Sequence, residues 1–333
     1  MARAKRTVAV IGSNCFTGSH FVDALLDDKE LSVLGISRSP EKNPAFLPYK
    51  RHKGDRFFFH RLNTVREMDK LISLLDAEKP FCVINVAGLS EVNISNFKPL
   101  DYYHTNTVAV ADLASRLRER KWLERFLHVS SAEIYGSCQG AISESESLRP
   151  STPYAVSKAA ADMHLGTLWR NFGFPVNLIR STNVYGRHQQ PFKIIPRSVI
   201  NLKKGATIRL EGGGTAVKSF VHVRDVVRGA LSILAQGAPG ETYNFSTDND
   251  RTIADVVRLV CELMHRDYEK AVTVVGDRLG QDARYRLDCS KAQKGLGWKP
   301  QIDFKQGVQE TIDWIERDWQ ALIQEPDQYV HSF

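Results

Sequence analysis

Two short segments carry residue types that could do chemistry together. The first, SSAEIYG at residues 130–136, directly follows the apolar run RFLHV and sets Ser131 and Glu133 where a strand runs out. A carboxylate there is either a solvated side chain or a catalytic group, because α/β sheets bind ligands outside the carboxyl ends of their strands. Alternation along an extended chain would turn Ser131 and Glu133 to one side. The second segment, STPYAVSKAAADMH, spaces Tyr154 and Lys158 four apart, hence on one face of a helix. A phenol with a pKa near 10 is a poor base at neutral pH, but a nearby ammonium stabilises the phenolate. Such a pair can accept a hydroxyl proton while hydride leaves the carbon. The spacing alone is common by chance; its distance from a glycine-rich turn near the start of the chain makes the combination specific.

That turn is VAVIGSNCFTGSHF, with Gly12 right after a first strand and Gly18 at the start of a helix. Amides at such a helix end can hold a pyrophosphate. A middle glycine is expected at 15, where the chain has Cys15; a β-carbon fits there if the backbone keeps a negative φ. The second strand ends LGISRS, placing Ser37 and Arg38 where an acid often binds ribose hydroxyls. An arginine fork pairs with a 2'-phosphate, so NADP is favoured and NAD is the alternative.

These residues need a frame, and the first half supplies one. Short β-branched runs (TVAVI, LSVLGIS, RFFFHRL, FCVINVA, RFLHVSS) alternate with helical stretches, including one near 107–120 and one near 153–172, with a further strand in PVNLIRST. This alternation predicts βαβ units in a doubly wound parallel sheet. Beyond it the pattern loosens into a smaller lobe with helices near 253–265 and 304–325. The polar stretch SPEKNPAFLPYKRHKGDR is expected to be a mobile surface loop, and Trp298 a core residue.

Bulk properties narrow the class. A chain of 333 residues with 42% hydrophobic residues can bury a large core. No stretch approaches the roughly 18 apolar residues of a membrane span. TVAVIG is too short for a signal-peptide core, so the cytoplasm and no membrane partner are expected. The net charge of +7 is spread among acids, as in RLRERKWLER, which argues against nucleic acid and for a basic surface suited to a phosphorylated small molecule. Cys15, Cys82, Cys138, Cys261 and Cys289 are odd in number and lack CxxC spacing, so neither a disulfide framework nor a metal site is expected.

Taken together, the Gly12 turn, VINVAG at 83–88, Asn106 in YYHTN, Ser131, Tyr154 with Lys158, STNVYG at 181–186, IIPR at 194–197, VKSFVHVRD at 217–225, DRLGQDARYRLD at 277–288 and LGWKP at 296–300 resemble the extended short-chain dehydrogenase/reductases over nearly the whole chain. The resemblance is to the nucleotide-sugar epimerase/dehydratase branch, most of all to the dTDP-glucose and GDP-mannose 4,6-dehydratases. It implies an α/β fold: a Rossmann doubly wound parallel sheet for NAD(P), formed by residues 1–181 with about 221–246, and a smaller α/β C-terminal lobe for a nucleotide-diphosphate hexose, formed by 182–220 and 247–333. A homodimer paired through two helices is implied too.

By the same resemblance the cofactor contacts fall on Gly12, Asn14, Cys15, Phe16, Thr17 and Gly18, on Ser37 and Arg38, on Leu62 and Asn63, on Val86, Ala87 and Gly88, and on Asn106, Tyr154 and Lys158. Substrate contacts fall on Ser90, Asn183, Gln190, Lys193, Arg209, Lys218 and Arg278, and the catalytic groups are Ser131, Glu133, Tyr154 and Lys158. Simple epimerases of this branch usually have a small residue at position 133. The 4,6-dehydratases have a glutamate, which can remove the C5 proton once C4 is a ketone. Some positions depart from the pattern. Ala132 stands where the glucose dehydratases have an aspartic acid, so Glu133 is expected to act as both base and acid, as it appears in the GDP-mannose enzymes. Lys218 replaces a diphosphate arginine, losing its fork, and Arg61 stands where an acid often holds the adenine amine. The rivals are a 4-epimerase, a UDP-glucuronate decarboxylase, for which Arg187 sits one place early, and a non-catalytic NAD(P)-binding regulator.

Overall fold

The structure is a computed structural model and describes residues 6–138, 140–276, 286–326 and 328–332. Its strands are β1 (Arg6–Ile11), β2 (Leu31–Ser37), β3 (Phe57–Arg61), β4 (Cys82–Asn85), β5 (Arg125–Val129), β6 (Ala141–Ile142), β7 (Val176–Ser181), β8 (Asn183–Tyr185), β9 (Ile208–Glu211), β10 (Val217–His222), β11 (Thr242–Phe245), β12 (Asp250–Thr252), β13 (Val272–Val275) and β14 (Arg286–Leu287). Its helices are α1 (Phe16–Asp27), α2 (Met68–Glu78), α3 (Val92–Ser95), α4 (Pro99–Tyr102), α5 (Ala109–Leu117), α6 (Pro153–Phe172), α7 (Ile194–Lys204), α8 (Val223–Gln236), α9 (Ile253–Leu263), α10 (Tyr268–Ala271), α11 (Ser290–Leu296), α12 (Phe304–Arg317) and α13 (Trp319–Leu322).

Seven strands form one sheet in the order β11-β7-β5-β4-β1-β2-β3, every neighbouring pair parallel. The chain starts in the middle, winds out to β3, then returns through β4, so a crevice opens at the carboxyl ends of β1 and β4. Both faces of the sheet are covered. On one, Phe21 and Leu25 of α1 pack with Val226 and Ile233 of α8 and with Trp298; on the other, Leu71, Leu113 and Leu165 bring in α2, α5 and α6. A strand buried on both faces reads as a continuous apolar run, which is why TVAVI and FCVIN stand out in the sequence. Trp298 is core as expected, its indole donating to the Asp225 carbonyl at 2.8 Å.

The second layer is smaller. β10 pairs parallel with β8 and antiparallel with β12, and α7, α9 and α12 close over Val199, Val257, Phe220 and Val308. His20, His188 and His222 meet where this layer abuts α1; the first two rings stand 5.3 Å apart, and His20 Nε2 lies 3.0 Å from the Arg187 carbonyl.

Two expectations change. The stretch 39–56 is docked, with Phe46, Leu47 and Tyr49 buried, Phe46 edge-on to Trp314 of α12, and the Trp314 indole donating to the Ala45 carbonyl at 3.0 Å. Its polar average hid an apolar triplet. The helix expected near 107–120 starts earlier, at Pro99, and passes through a π-turn at Tyr103–Val108 before α5. That extra residue per turn, a feature frequent at functional sites, faces Asn106 inward.

Candidate active site

At the glycine turn, conformation dictates residue type. Gly12 has φ +94°, and a β-carbon on it would lie 2.7 Å from the Ala87 nitrogen; one on Gly18 would lie 2.1 Å from the Gly12 carbonyl oxygen. Nothing larger fits at either place. Cys15 has φ −78°, so its β-carbon is tolerated, and its Sγ accepts the Gly18 N–H at 3.2 Å as the cap of α1. Beneath the turn, the buried Ser37 hydroxyl accepts the Asn14 N–H at 3.0 Å, and the Asn14 carboxamide donates to the carbonyls of Ser39 and Pro40. Arg38 is exposed, and Arg61 Nε donates to its carbonyl. Leu62 continues the edge by donating to the Ser37 carbonyl at 3.0 Å, and Asn63 turns the chain toward α2 by accepting from Val65.

A cleft of about 880 Å³ opens at the carboxyl ends of β1, β4, β5 and β7. Cys15, Phe16, Thr17, Val86, Gly88 and Ser90 line its sheet side, Ser131, Glu133, Tyr154 and Lys158 its centre, and Asn183, Gln190, Lys193, Arg209 and Lys218 the side of the second layer. Gly12, Asn14, Gly18, Ala87 and Asn106 lie beneath this surface or support it, while Ser37, Arg38, Leu62 and Asn63 lie along the sheet edge past the turn. Arg278 lies outside the described residues.

Tyr154 and Lys158 project from the first turns of α6, which starts at Pro153 under a Thr152 cap and ends on Gly173 in the left-handed conformation. Asn106 secures this helix to the cleft floor, donating to Ser157 Oγ and the Leu89 carbonyl, both at 3.0 Å, while its own carbonyl accepts the Leu89 N–H at 2.8 Å. Ser131 and Glu133 share the cleft for a reason other than alternation. β5 ends at Val129, Ala132–Tyr135 is a 3₁₀ turn, and Ser131 Oγ caps it by accepting the Glu133 N–H at 3.2 Å. Ala132 is buried with Ile134 and Leu287.

The electrostatics differ from the simple picture of an ammonium lowering a phenol. Burial pushes the Tyr154 phenol up, the Glu133 charge adds to this, and a hydrogen bond from Ser131 works the other way. Burial brings the Lys158 ammonium down to about 8, opposed by Asp162. Lys158 Nζ donates to the Val129 carbonyl at 2.7 Å and stands 3.5 Å from His128 Nε2. Desolvation therefore outweighs the Ser131 hydrogen bond at Tyr154, which is half-buried in the cleft wall, and the Asp162 charge at the buried Lys158. Asp162 itself is paired with Arg180 of β7 at 3.0 Å, with side chains 1% and 7% exposed.

Several residues of this site were not singled out from the sequence. Glu91 pairs with Lys193 across the cleft. Tyr329 lines the cleft against Phe192, followed by His331, whose Nε2 lies 2.7 Å from Asp101. His128 is the one with a usable signal, a histidine inside the otherwise apolar strand RFLHV.

A β1-α1 glycine cradle, the 3-2-1-4-5 strand order and a Ser131, Tyr154, Lys158 centre make up the architecture of the extended short-chain dehydrogenases/reductases. Residues 10–311 match the family described as GDP-mannose 4,6 dehydratase. The dTDP-glucose 4,6-dehydratase of Haemophilus influenzae is 30% identical over 92% of this chain and 97% of that protein. The human dTDP-D-glucose 4,6-dehydratase is 30% identical over 95% and 91%. Among solved structures, DesIV, a dTDP-glucose 4,6-dehydratase from Streptomyces venezuelae with NAD and TYD bound, superposes with a TM-score of 0.87 at 31% identity, covering 94% of this chain and 98% of that one. A Bacillus anthracis dTDP-glucose 4,6-dehydratase in complex with NAD gives 0.86 at 27%, covering 95% and 98%. This chain belongs to the GDP-mannose 4,6-dehydratase family.

Proposed function

We propose that this nucleotide-sugar 4,6-dehydratase carries both halves of its elimination on one carboxylate, Glu133. The substrate is a nucleoside-diphosphate hexose, bound with its sugar toward Ser131, Glu133 and Tyr154 and its diphosphate toward Lys218; Asn183 is assigned to the diphosphate or the sugar, and the resemblance adds a phosphate contact from Arg278, outside the described residues. Ser90, Gln190 and Lys193 are assigned to the sugar or phosphate, and Arg209 to the nucleobase end. The cradle of Gly12, Cys15 and Gly18, too tight for β-carbons at its two glycines, fits a dinucleotide pyrophosphate. NAD(P), when bound, supplies the acceptor for the C4 hydride and its return to C6.

The chain's own residues move the protons. In its phenolate form, hydrogen-bonded by Ser131, Tyr154 takes the proton of the C4 hydroxyl; the positive charge that oxidised NAD(P) would bring when bound opposes the burial that keeps the phenol protonated. The C4 ketone acidifies C5–H, Glu133 takes that proton, and the same carboxyl returns it to the C6 hydroxyl as water leaves. One proton then remains owed to C5, and the one held by Tyr154 balances it. The observation that carries this reading is the 132–133 pair: Glu133 lines the cleft close enough to Tyr154 to raise its phenol, while Ala132 is packed in the core and has no proton to give. The decarboxylase alternative is disfavoured by Arg187, which does not line the cleft and pairs with Glu310 at 3.7 Å. The test is mass analysis of products from dTDP, UDP, GDP and CDP hexoses. Loss of water supports the assignment; loss of carbon dioxide or no mass change overturns it.

Finer assignments rest on single observations. NADP is favoured over the NAD held by the solved relatives because β2 ends at Ser37 and Arg38 and Ser39 follow it without an acid. A homodimer through α6 and the π-turn that leads into α5 is supported by exposed Val108, Val156 and Met163, at 54%, 39% and 63%. The division into 1–181 with about 221–246 and 182–220 with 247–333 is supported by β11 joining the main sheet while β8, β10 and β12 form their own. A reducing cytoplasm suits five free thiols.

A further inference from the structure

Behind the catalytic face of α6 lies a buried polar row that the proton steps above do not use. His128 sits in β5, fully buried between Leu127 and Val129. Its Nε2 is 3.5 Å from Lys158 Nζ, and its Nδ1 is 3.2 Å from the amide nitrogen, Nδ2, of Asn85 on neighbouring β4. A polar ring inside a dry sheet is costly unless both nitrogens are matched. Burial and the Lys158 charge keep this imidazole neutral, so it has one donor and one acceptor. An ammonium only donates. The nitrogen facing it, Nε2, is therefore the acceptor and the hydrogen sits on Nδ1; two donors cannot face each other, so this tautomer requires the Asn85 carboxamide to make a half-turn that brings Oδ1 to Nδ1 in place of Nδ2.

We propose that His128, its tautomer fixed by Asn85, is a positioning residue for Lys158: the Nε2 lone pair and the Val129 carbonyl hold the ammonium in place and keep it charged. The proposal rests on Lys158 belonging to the reaction machinery. Other charged groups face the same spot. Asp162 stands one turn further along α6, Arg180 of β7 is paired to it, and Tyr154 and Glu133 lie on the cleft side. Asp162 favours the ammonium from a distance and is already engaged by Arg180. His128 is the side chain that meets Lys158 directly from the sheet, where desolvation presses hardest for its neutral form.

The test reads the two groups by NMR in the whole protein, with 15N-histidine and 13Cε-lysine labels, alongside the pH profile of 4-keto product formation. The native His128 is expected to show the Nδ1–H tautomer from about pH 6 to about 9, and Lys158 to titrate near the value burial sets, about 8. His128→Leu is expected to lower the Lys158 titration by about one pH unit, the alkaline limb of kcat/KM moving down with it, because a charge-assisted hydrogen bond is lost. His128→Gln, which keeps an acceptor at similar reach, is expected to restore most of the shift. An Nε2–H tautomer, or an unmoved Lys158 titration in folded His128→Leu, overturns the proposal. Should His128→Leu not fold, the native tautomer and the Gln variant decide. Should the native protein form no 4-keto product from the four classes of hexose while both titrations behave as described, the positioning role stands and the dehydratase assignment falls.

Discussion

The two walls of the cleft are built by different means. On the sheet wall, each contact follows from backbone geometry: Gly12 and Gly18 have no space for a β-carbon, and Tyr154 and Lys158 are four residues apart on α6. On the opposite wall, contributed by β8, β9, β10 and the start of α7, what a side chain can do depends on its partner. Lys193 is matched by Glu91, and Asn183 donates to the Ser219 carbonyl at 3.1 Å. One wall is set by where the chain can go, the other by which charges meet across a gap. Substitutions on the first should therefore act steeply, and those on the second gradually.

The steepest expected effect is at the sheet-side centre. Glu133→Gln should lower formation of the dehydrated sugar by about 10² to 10⁴-fold while leaving C4 oxidation, seen as reduced-cofactor absorbance in single-turnover mixing. Equal loss of both steps would mean the carboxyl only shapes the cleft. Next comes the hidden support of that wall. Asp162→Asn leaves Arg180 buried without its counter-charge and should cost about 3–5 kcal/mol in urea unfolding; a loss under about 1 kcal/mol would show the wall is less tightly specified than its burial implies.

The seam between the walls can be probed by pH. Burial lowers His20 to about 4, His188 and His222 to about 3, and His128 well below its ordinary value. The unfolded chain, with histidines near 6.5, binds protons that the folded chain refuses. Stability should be full above that value and fall as pH drops toward 4, by about 1.4 kcal/mol per pH unit for each histidine engaged. A urea midpoint that stays flat from about pH 7 to about 5 would show that these rings are hydrated in solution. The mildest effect belongs to the partner-set wall. Glu91→Gln should free Lys193 and lower KM for a nucleotide hexose about fivefold, a gain near 1 kcal/mol, with kcat unchanged; a raised KM would make Glu91 itself a sugar contact.

The same contrast explains what could be read from the sequence. The sheet, α6 and the glycine turn leave periodic traces, since burial on two faces and a four-residue spacing are properties of the chain itself. Alternation predicts Glu133 on the side of Ser131; both line the cleft, but β5 stops at Val129 and a capped 3₁₀ turn, not alternation, puts them there. Segment 39–56 looked like solvent-exposed chain because its charges outnumber Phe46, Leu47 and Tyr49, which do the docking. Glu91 left no local trace at all, for its significance lies in a cation 102 positions away.

Trp314 gives the joint between the two layers an optical reporter. Its indole is fastened to the Ala45 carbonyl, flanked by Phe46 and His188, and reached from both the sheet side and α12. Any hinge-like opening of the crevice must stretch that bond or carry the segment along, so the share of Trp314 in the emission of the five tryptophans, read as the difference from Trp314→Phe, should change before the strands themselves part.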